Sequence, residues 1–207
     1  MAELNWIPAN LILFLSISLI GYAIFDRRWK PFWVNLGITR PEGKSILLAL
    51  VAGVFFSLAG IIPSLLLGEV DGGNLTLTYE AFLGLELTPL TLVVAFAWAF
   101  LHQGLPEELF FRGFLLGQLT RKFSSFYANT IQAVVFWLIH VPGYVFLWQM
   151  VGNGEKFWIV VIAVISLIIA FVFGWLRLRD KNGSIVAPIV LHTLGNGITY
   201  VFAMFIS

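Results

Sequence analysis

Six apolar stretches, separated by short polar connections, dominate the pattern of hydrophobic and polar positions along the chain. They cover residues 7–25, 46–67, 89–122, 124–148, 157–176 and 184–205. A transmembrane helix needs about 20 mostly apolar residues, because the hydrocarbon core is about 30 Å thick and a helix rises about 1.5 Å per residue. The pattern predicts an all-α fold, a polytopic membrane helix bundle with about six transmembrane helices.

Two of the six segments contain helix-breaking residues. The third is interrupted by HQGLPEE at 102–108, where Pro106 has no amide proton to donate to the carbonyl of residue 102. We therefore predict a kinked, polar-interrupted third helix. In the fourth segment, His140 is followed by Pro142 and Gly143, and we expect the helix to bend or end there.

The composition excludes several classes of protein. Of the 207 residues, 59% are hydrophobic and 11% are charged, whereas a soluble domain has about 45–50% apolar and about 25% charged residues. The net charge of +1 provides no basic face for a nucleic acid. The absence of cysteine excludes disulfides, thiolate metal sites and a cysteine nucleophile.

The basic residues indicate how the helices are oriented. Connections 26–45, 112–123 and 177–183 contain eleven Lys and Arg residues, whereas 1–6, 68–88 and 152–156 contain only Lys156. Because cytoplasmic connections are enriched in Lys and Arg, both termini are predicted to be non-cytoplasmic. Connection 26–45 also contains Trp29, Phe32 and Trp33 and is predicted to lie at the membrane interface; 68–88 is predicted to be an outer surface loop.

Ionisable residues in the apolar segments are the candidates for function, because a charge within the bilayer costs several kcal/mol. The polar candidates on segments three, four and six are Glu107, Glu108, Arg112, His140, His192 and Asn196. At about 1.5 Å per residue, Glu107, His140, His192 and Asn196 lie roughly 12 to 24 Å from the inner ends of their segments. They can therefore meet in one layer of the membrane. His102, which belongs to no spaced pair, is assigned to packing.

Helical spacing assigns different environments to the two glutamates. Arg112 is four residues after Glu108 and about 40° from it around an α-helix, so the two can pair. Glu107 is left unpaired and can therefore gain and lose a proton, as a general base requires. Phe136 and His140 share one face of segment four, as His192 and Asn196 do on segment six.

Three motifs carry a resemblance to a known family. PEELFFRG at 106–113, FWLIH at 136–140 and HTLGN at 192–196, in this order, resemble the signatures of the CPBP family of CAAX-protease and bacteriocin-processing intramembrane proteases, which includes the type II CAAX prenyl endopeptidases. The resemblance covers residues 89–205. It implies a catalytic helix core at 89–205, preceded at 1–88 by two transmembrane helices with an interfacial cytoplasmic connection.

The resemblance implies an endopeptidase that cleaves a peptide bond in or near the membrane. Glu107 with His140 would activate a water molecule, while His192 and Asn196 would form an oxyanion hole. Glu108, Arg112 and Phe136 would support them. The family is often labelled metalloprotease, and Glu107, His140 and His192 are the candidate metal ligands. A divalent metal such as zinc and a metal-free glutamate mechanism are equally consistent with these residues.

Other functions remain open at this point. One alternative is a non-catalytic membrane scaffold or assembly factor of the same family, and another is a proton or ion carrier that uses Glu and His as a relay. The expected partners are the lipid bilayer and a membrane-associated peptide or protein substrate, with no nucleic acid. Prenylated peptide, bacteriocin leader and membrane-protein terminus are equally open as substrates.

Overall fold

The fold is a bundle of membrane-spanning helices. This computed structural model describes residues 7–25, 31–67, 81–154 and 156–205, and all regular secondary structure in these ranges is helical. The helices are α1 (Ile7–Phe25), α2 (Phe32–Asn35), α3 (Gly43–Leu67), α4 (Pro89–Leu119), α5 (Ser125–Met150), α6 (Lys156–Arg179) and α7 (Val186–Ala203). Most of the predicted outer loop, at 68–80, and Trp29 of the interfacial connection lie outside the described residues.

The predicted membrane architecture is confirmed. In the described ranges, helices α3 to α7 are each long and apolar enough to cross a bilayer, and α1 contains a shorter apolar stretch, Leu11–Phe25. Large apolar side chains such as Phe55 and Leu90 are exposed on the outside of the bundle. A surface of this kind is stable in contact with lipid. The protein is therefore an all-α, polytopic integral membrane protein.

Helix α4 begins in a regular way and then becomes irregular around Pro106. At its start the hydroxyl of Thr88 accepts from the amide of Thr91 and the hydroxyl of Thr91 accepts from the amide of Thr88, which caps the first turn. Residues Ala99–Gly104 and Glu108–Leu115 are π-helical, on either side of the short α-helical turn Leu105–Glu107. Because a π-helix bonds each amide to the carbonyl five residues earlier, these wider turns rearrange the bonding around a proline that has no amide proton. Stretches of this kind occur frequently at functional sites.

One predicted helix end is corrected, because α4 ends at Leu119 rather than near Lys122. Of the two outcomes expected at Pro142 and Gly143, a bend or an end, the helix does not end there: α5 continues to Met150. The residues after Pro142 include exposed apolar side chains, Val145 and Phe146 among them. An unwound backbone facing lipid would leave polar groups without partners, so the helix continues despite the proline.

Helix α7 lies at the centre of the bundle. It packs along α3 and against the first half of α4, while α5 and α6 form a second pair. Two glycines of α7 make the close packing possible: a Cβ on Gly195 would lie 1.9 Å from the ring of Phe56 in α3, and one on Gly197 would lie 2.3 Å from Phe96 in α4. Small residues at helix contacts are the usual means of close approach in membrane proteins.

A group of hydrogen bonds joins the segment before α3 to the turn after α6. We call it the Asp180 clamp. The carboxylate of Asp180 accepts from the amides of Glu42 at 2.8 Å and Asn182 at 2.9 Å, and Ser184 donates to the carbonyl of Thr39 at 2.8 Å. Asp180 is buried. The clamp fixes the position of the start of α7 relative to the start of α3.

Candidate functional site

A cavity of about 200 Å³ opens between α3, α4, α5, α6 and α7. Most of its polar lining comes from α4, α5 and α7, with Ser166 of α6, and its apolar lining includes Phe56 of α3 and Phe173 of α6. The polar lining residues on α4, α5 and α7 are Gln103, Glu107, His140, His192, Asn196, Thr199 and Tyr200. The structure thus brings all four predicted catalytic residues, with Phe136, to the surface of one cavity within an apolar bundle.

Beside this cavity, Glu108 is the centre of a buried charge network. Its Oε1 atom accepts from Nη1 of Arg112 at 2.9 Å and lies 2.9 Å from Nδ1 of His192. The side chains of Glu108 and Arg112 are both 0% exposed. The ion pair predicted from the four-residue spacing is therefore present, and His192 is an additional partner that the spacing did not indicate.

Aromatic rings and a backbone carbonyl complete the surroundings of Arg112. The guanidinium carbon lies 4.6 Å from the centre of the Phe136 ring and 4.7 Å from that of Phe173, and Nη2 donates to the carbonyl of Ala170 at 3.1 Å. A guanidinium this close to aromatic rings is stabilised by their quadrupoles. Phe136 also contacts His140, with ring centres 4.5 Å apart. Phe136 thereby links the buried ion pair to a histidine of the cavity.

Glu107 differs from its neighbour in exposure. It is only partly buried and lines the cavity, whereas Glu108 is fully buried in the charge network. Two adjacent glutamates therefore have different surroundings, one open to a cavity and one enclosed by Arg112 and His192. Glu107 is the carboxylate of the two that a molecule in the cavity can contact.

A backbone contact of His140 determines its tautomer. Its Nδ1 atom lies 2.8 Å from the carbonyl oxygen of Phe136. Because a carbonyl only accepts, Nδ1 must carry the proton. The neutral ring then has its lone pair on Nε2.

His192 is oriented in a similar way by a side chain. In its ion pair with Arg112 the carboxylate of Glu108 accepts, so Nδ1 of His192 is the donor. The Nε2 atom of His192 is therefore an acceptor in the neutral ring and a donor only when the ring carries both protons.

Asn196 belongs to a second polar network, which the sequence did not reveal. Its Nδ2 atom donates to Oε1 of Gln103, and the hydroxyl of Tyr200 donates to the same oxygen at 2.7 Å. A signal was present, since Gln103 precedes Glu107 by four residues and Tyr200 follows Asn196 by four. In an α-helix such spacing places side chains on one face.

His102 does not line this cavity. Its ring stacks on that of Trp98, with centres 5.4 Å apart and planes inclined by 17°. This contact agrees with the packing role expected from the sequence.

The side chains available do not form a ready metal site. Within the described parts of the chain, no three His, Asp or Glu side chains are grouped closely enough to hold one ion, and this includes Glu107, His140 and His192. Nδ1 of each histidine is engaged by an acceptor, as is usual for a ligating histidine, so it is the spacing of the side chains and not the ring nitrogens that is unsuitable. The donor set in this arrangement does not fit the three-ligand site of a catalytic zinc.

An apolar groove of about 480 Å³ adjoins the cavity. It runs between α3 and α6, and its lining residues, which include Val51 and Trp158, are apolar throughout. The groove shares five lining residues with the cavity: Phe56, Ala59, Ile165, Ile169 and Phe173. The two spaces are therefore adjacent.

Comparison with known proteins identifies the family. No curated protein and no solved structure matches the chain. Residues 89–198, more than half of the chain, match the family described as type II CAAX prenyl endopeptidase Rce1-like. This range contains all three motifs and every polar residue of the cavity except Thr199 and Tyr200. The chain therefore belongs to the Rce1-like type II CAAX prenyl endopeptidase family of intramembrane proteases.

Proposed function

We propose that this protein hydrolyses a peptide bond at the membrane with a water molecule activated by Glu107 and His140, and that His192 and Asn196 stabilise the oxyanion. The observation that carries the proposal is the single cavity that these four side chains line together, within membrane-spanning helices. Such polar groups are costly within a membrane and mark functional sites.

The first step uses the carboxylate and the histidine with the free Nε2 lone pair. The water oxygen bonds to the substrate carbonyl carbon, one water proton passes to Glu107, and the electrons of the C=O bond move to the oxygen. His140 accepts a hydrogen bond from the water through Nε2 and thereby orients it. In the second step the C–N bond breaks and Glu107 returns its proton to the leaving nitrogen.

The oxyanion role determines the protonation state of His192. Since Nδ1 donates to Glu108, His192 offers a second N–H to the oxyanion only as an imidazolium. The buried carboxylate of Glu108 would then face two cations, so the three groups together would place a net positive charge next to the oxyanion. Oriented donors of this kind commonly lower a barrier by about 3 to 4 kcal/mol each.

The adjoining groove favours one substrate class among those that the sequence left open. A groove without polar lining next to the catalytic cavity suits an aliphatic chain close to the scissile bond. The family description names prenyl endopeptidases. A prenylated peptide, with its isoprenoid in the groove and its peptide bond in the cavity, satisfies both observations.

The test is a cleavage assay with the purified protein in lipid vesicles and a prenylated peptide, with the products measured by mass spectrometry. Glu107→Gln removes the base at constant shape and should lower kcat by about a thousandfold or more. Glu86→Gln is the matched control, because this exposed glutamate lies outside the cavity. If Glu107→Gln and Glu86→Gln cleave equally well, the proposal is wrong.

A further inference from the structure

Three polar side chains from α4 and α7 form the second network of the cavity. The amide nitrogen of Asn196 and the hydroxyl of Tyr200 both donate to Oε1 of Gln103. The three groups need not bond to one another, because each could instead bond to a water molecule in the cavity.

The convergence matters because the side-chain amide of asparagine has two different ends. Its oxygen only accepts and its nitrogen has two N–H groups to donate. If Asn196 were reversed, its oxygen would face Oε1 of Gln103, and two acceptors would meet without a proton between them. In the observed orientation one N–H bonds to Gln103 and the other remains to donate to an oxyanion.

Tyr200 fixes Gln103 in turn. Its hydroxyl donates to the oxygen end of the glutamine. Reversal of Gln103 alone would place its nitrogen against the nitrogen of Asn196, and reversal of both amides together would turn the Tyr200 hydroxyl from the donor of this bond into its acceptor. Tyr200 itself is buried and stacks on Phe82, with ring centres 5.0 Å apart and planes inclined by 6°. Gln103 lies in the π-helical stretch Ala99–Gly104. The first residue of this stretch, Ala99, and the preceding Trp98 pack in the same core cluster as Phe82 and Tyr200.

We propose that Gln103 and Tyr200 are positioning residues that hold Asn196 with its nitrogen towards the reacting carbonyl. The inference rests on the oxyanion role proposed for Asn196. Neither residue touches the reacting atoms in this account. Both act through the orientation of one amide.

The experiment is a double-mutant cycle on kcat, in vesicles with the prenylated peptide. Gln103→Leu keeps the volume of the side chain and removes the acceptor, so it should lower kcat by about tenfold or more at unchanged KM. Tyr200→Phe removes one hydrogen bond and should lower kcat by about three- to tenfold. Tyr22→Phe, a tyrosine outside the cavity lining, is the control and should leave both constants unchanged.

The same substitutions made in a protein that lacks Asn196 separate a positioning role from other roles. In an Asn196→Ala protein, Gln103→Leu and Tyr200→Phe should cause no further loss of kcat, because the amide that they orient is absent. A merely structural role would lower kcat by the same factor in both backgrounds, and that result would overturn the inference. If Gln103→Leu does not fold, the cycle with Tyr200→Phe decides the question alone.

The outcomes also distinguish this inference from the function on which it depends. Loss of activity in Asn196→Ala together with wild-type kcat in Gln103→Leu and Tyr200→Phe would reject the positioning role and leave the proposed function intact. Full activity in Asn196→Ala would reject the oxyanion role of Asn196 and with it the positioning role, whereas the water activation by Glu107 is tested separately by Glu107→Gln.

Discussion

The Nδ1 atom of His192 and the Oε1 atom of Glu108 lie 2.9 Å apart, although the two residues are 84 positions apart in the chain. The same oxygen accepts a hydrogen bond from Arg112. Glu108 therefore connects a buried cation to a histidine that faces the cavity. Through this contact, the ion pair of α4 orients a side chain of α7.

Removal of Arg112 should destabilise the protein as well as inactivate it. Arg112→Ala leaves Glu108 as a buried carboxylate without its guanidinium partner, and breaking a buried pair from one side costs about 3 to 5 kcal/mol. Thermal unfolding in detergent should show a large decrease in Tm. Lys122→Ala, at an exposed position, is the control. Equal Tm values for the two variants would show that the buried pair does not stabilise the fold.

Filling the apolar groove should affect prenylated substrates selectively. Val51→Trp places a bulky ring in the groove between α3 and α6, so KM should rise several-fold for a farnesylated peptide and stay unchanged for the same peptide without the lipid. Val134→Trp is the matched control, because Val134 lines a separate apolar pocket on the α5–α6 side. An equal rise in KM for both peptides would argue against the groove as the lipid site.

The Asp180 clamp should make stability depend on pH in acid. Burial raises the pKa of the Asp180 carboxyl, but hydrogen bonds lower it further, so the pKa lies below its usual value. The donors are the amides of Glu42, Asn182 and Ser184 and the hydroxyl of Ser45. A lowered pKa in the folded state gives a stabilisation that is complete above the unfolded pKa of about 3.9 and is lost as the pH falls through the folded value.

The Asp180→Asn variant reports this contribution directly. Its Tm should lie below that of the wild type at about pH 6, and the difference should shrink as the pH falls below about 4. Glu86→Gln, at an exposed position, should match the wild type throughout. A Tm difference for Asp180→Asn that stays constant with pH would mean that the clamp does not depend on the charge of the carboxylate.

The distribution of basic residues predicts the orientation in the membrane, with one correction. Arg112 is buried within α4 and does not belong to a connection, which leaves ten Lys and Arg on the predicted cytoplasmic side against Lys156 on the other. Both termini are still predicted to be non-cytoplasmic. The chain has no cysteine, so Gly154→Cys should react with an impermeant reagent on intact cells and Lys122→Cys only after permeabilisation. The reverse result would invert the orientation.

Local patterns predicted the helices and four of the polar side chains that line the cavity, Glu107, His140, His192 and Asn196. Apolar stretches of 20 residues or more have few alternatives to a membrane helix, and the four-residue spacing of Glu108 and Arg112 places them in contact even though that part of α4 is π-helical. The division into 1–88 and 89–205 remains a prediction, as do the roles of the individual site residues.

Contacts between distant segments were not predictable. The bond from His192 to Glu108 and those of Gln103 with Asn196 and Tyr200 depend on how α4 and α7 pack together, which hydropathy does not encode. Whether α5 bends or ends at Pro142 was left open by the sequence for a related reason. A proline lowers the local preference for helix, but lipid around the helix raises the cost of every alternative.

The most direct test of the account is to incubate the purified protein with a prenylated peptide in water enriched in oxygen-18 and to analyse the fragments by mass spectrometry. If Glu107 activates the water, the wild type releases a fragment with one oxygen-18 atom in its new carboxyl group, and Glu107→Gln leaves the peptide intact. A peptide that stays intact with the folded wild-type protein, or cleavage by Glu107→Gln at the wild-type rate, would contradict it.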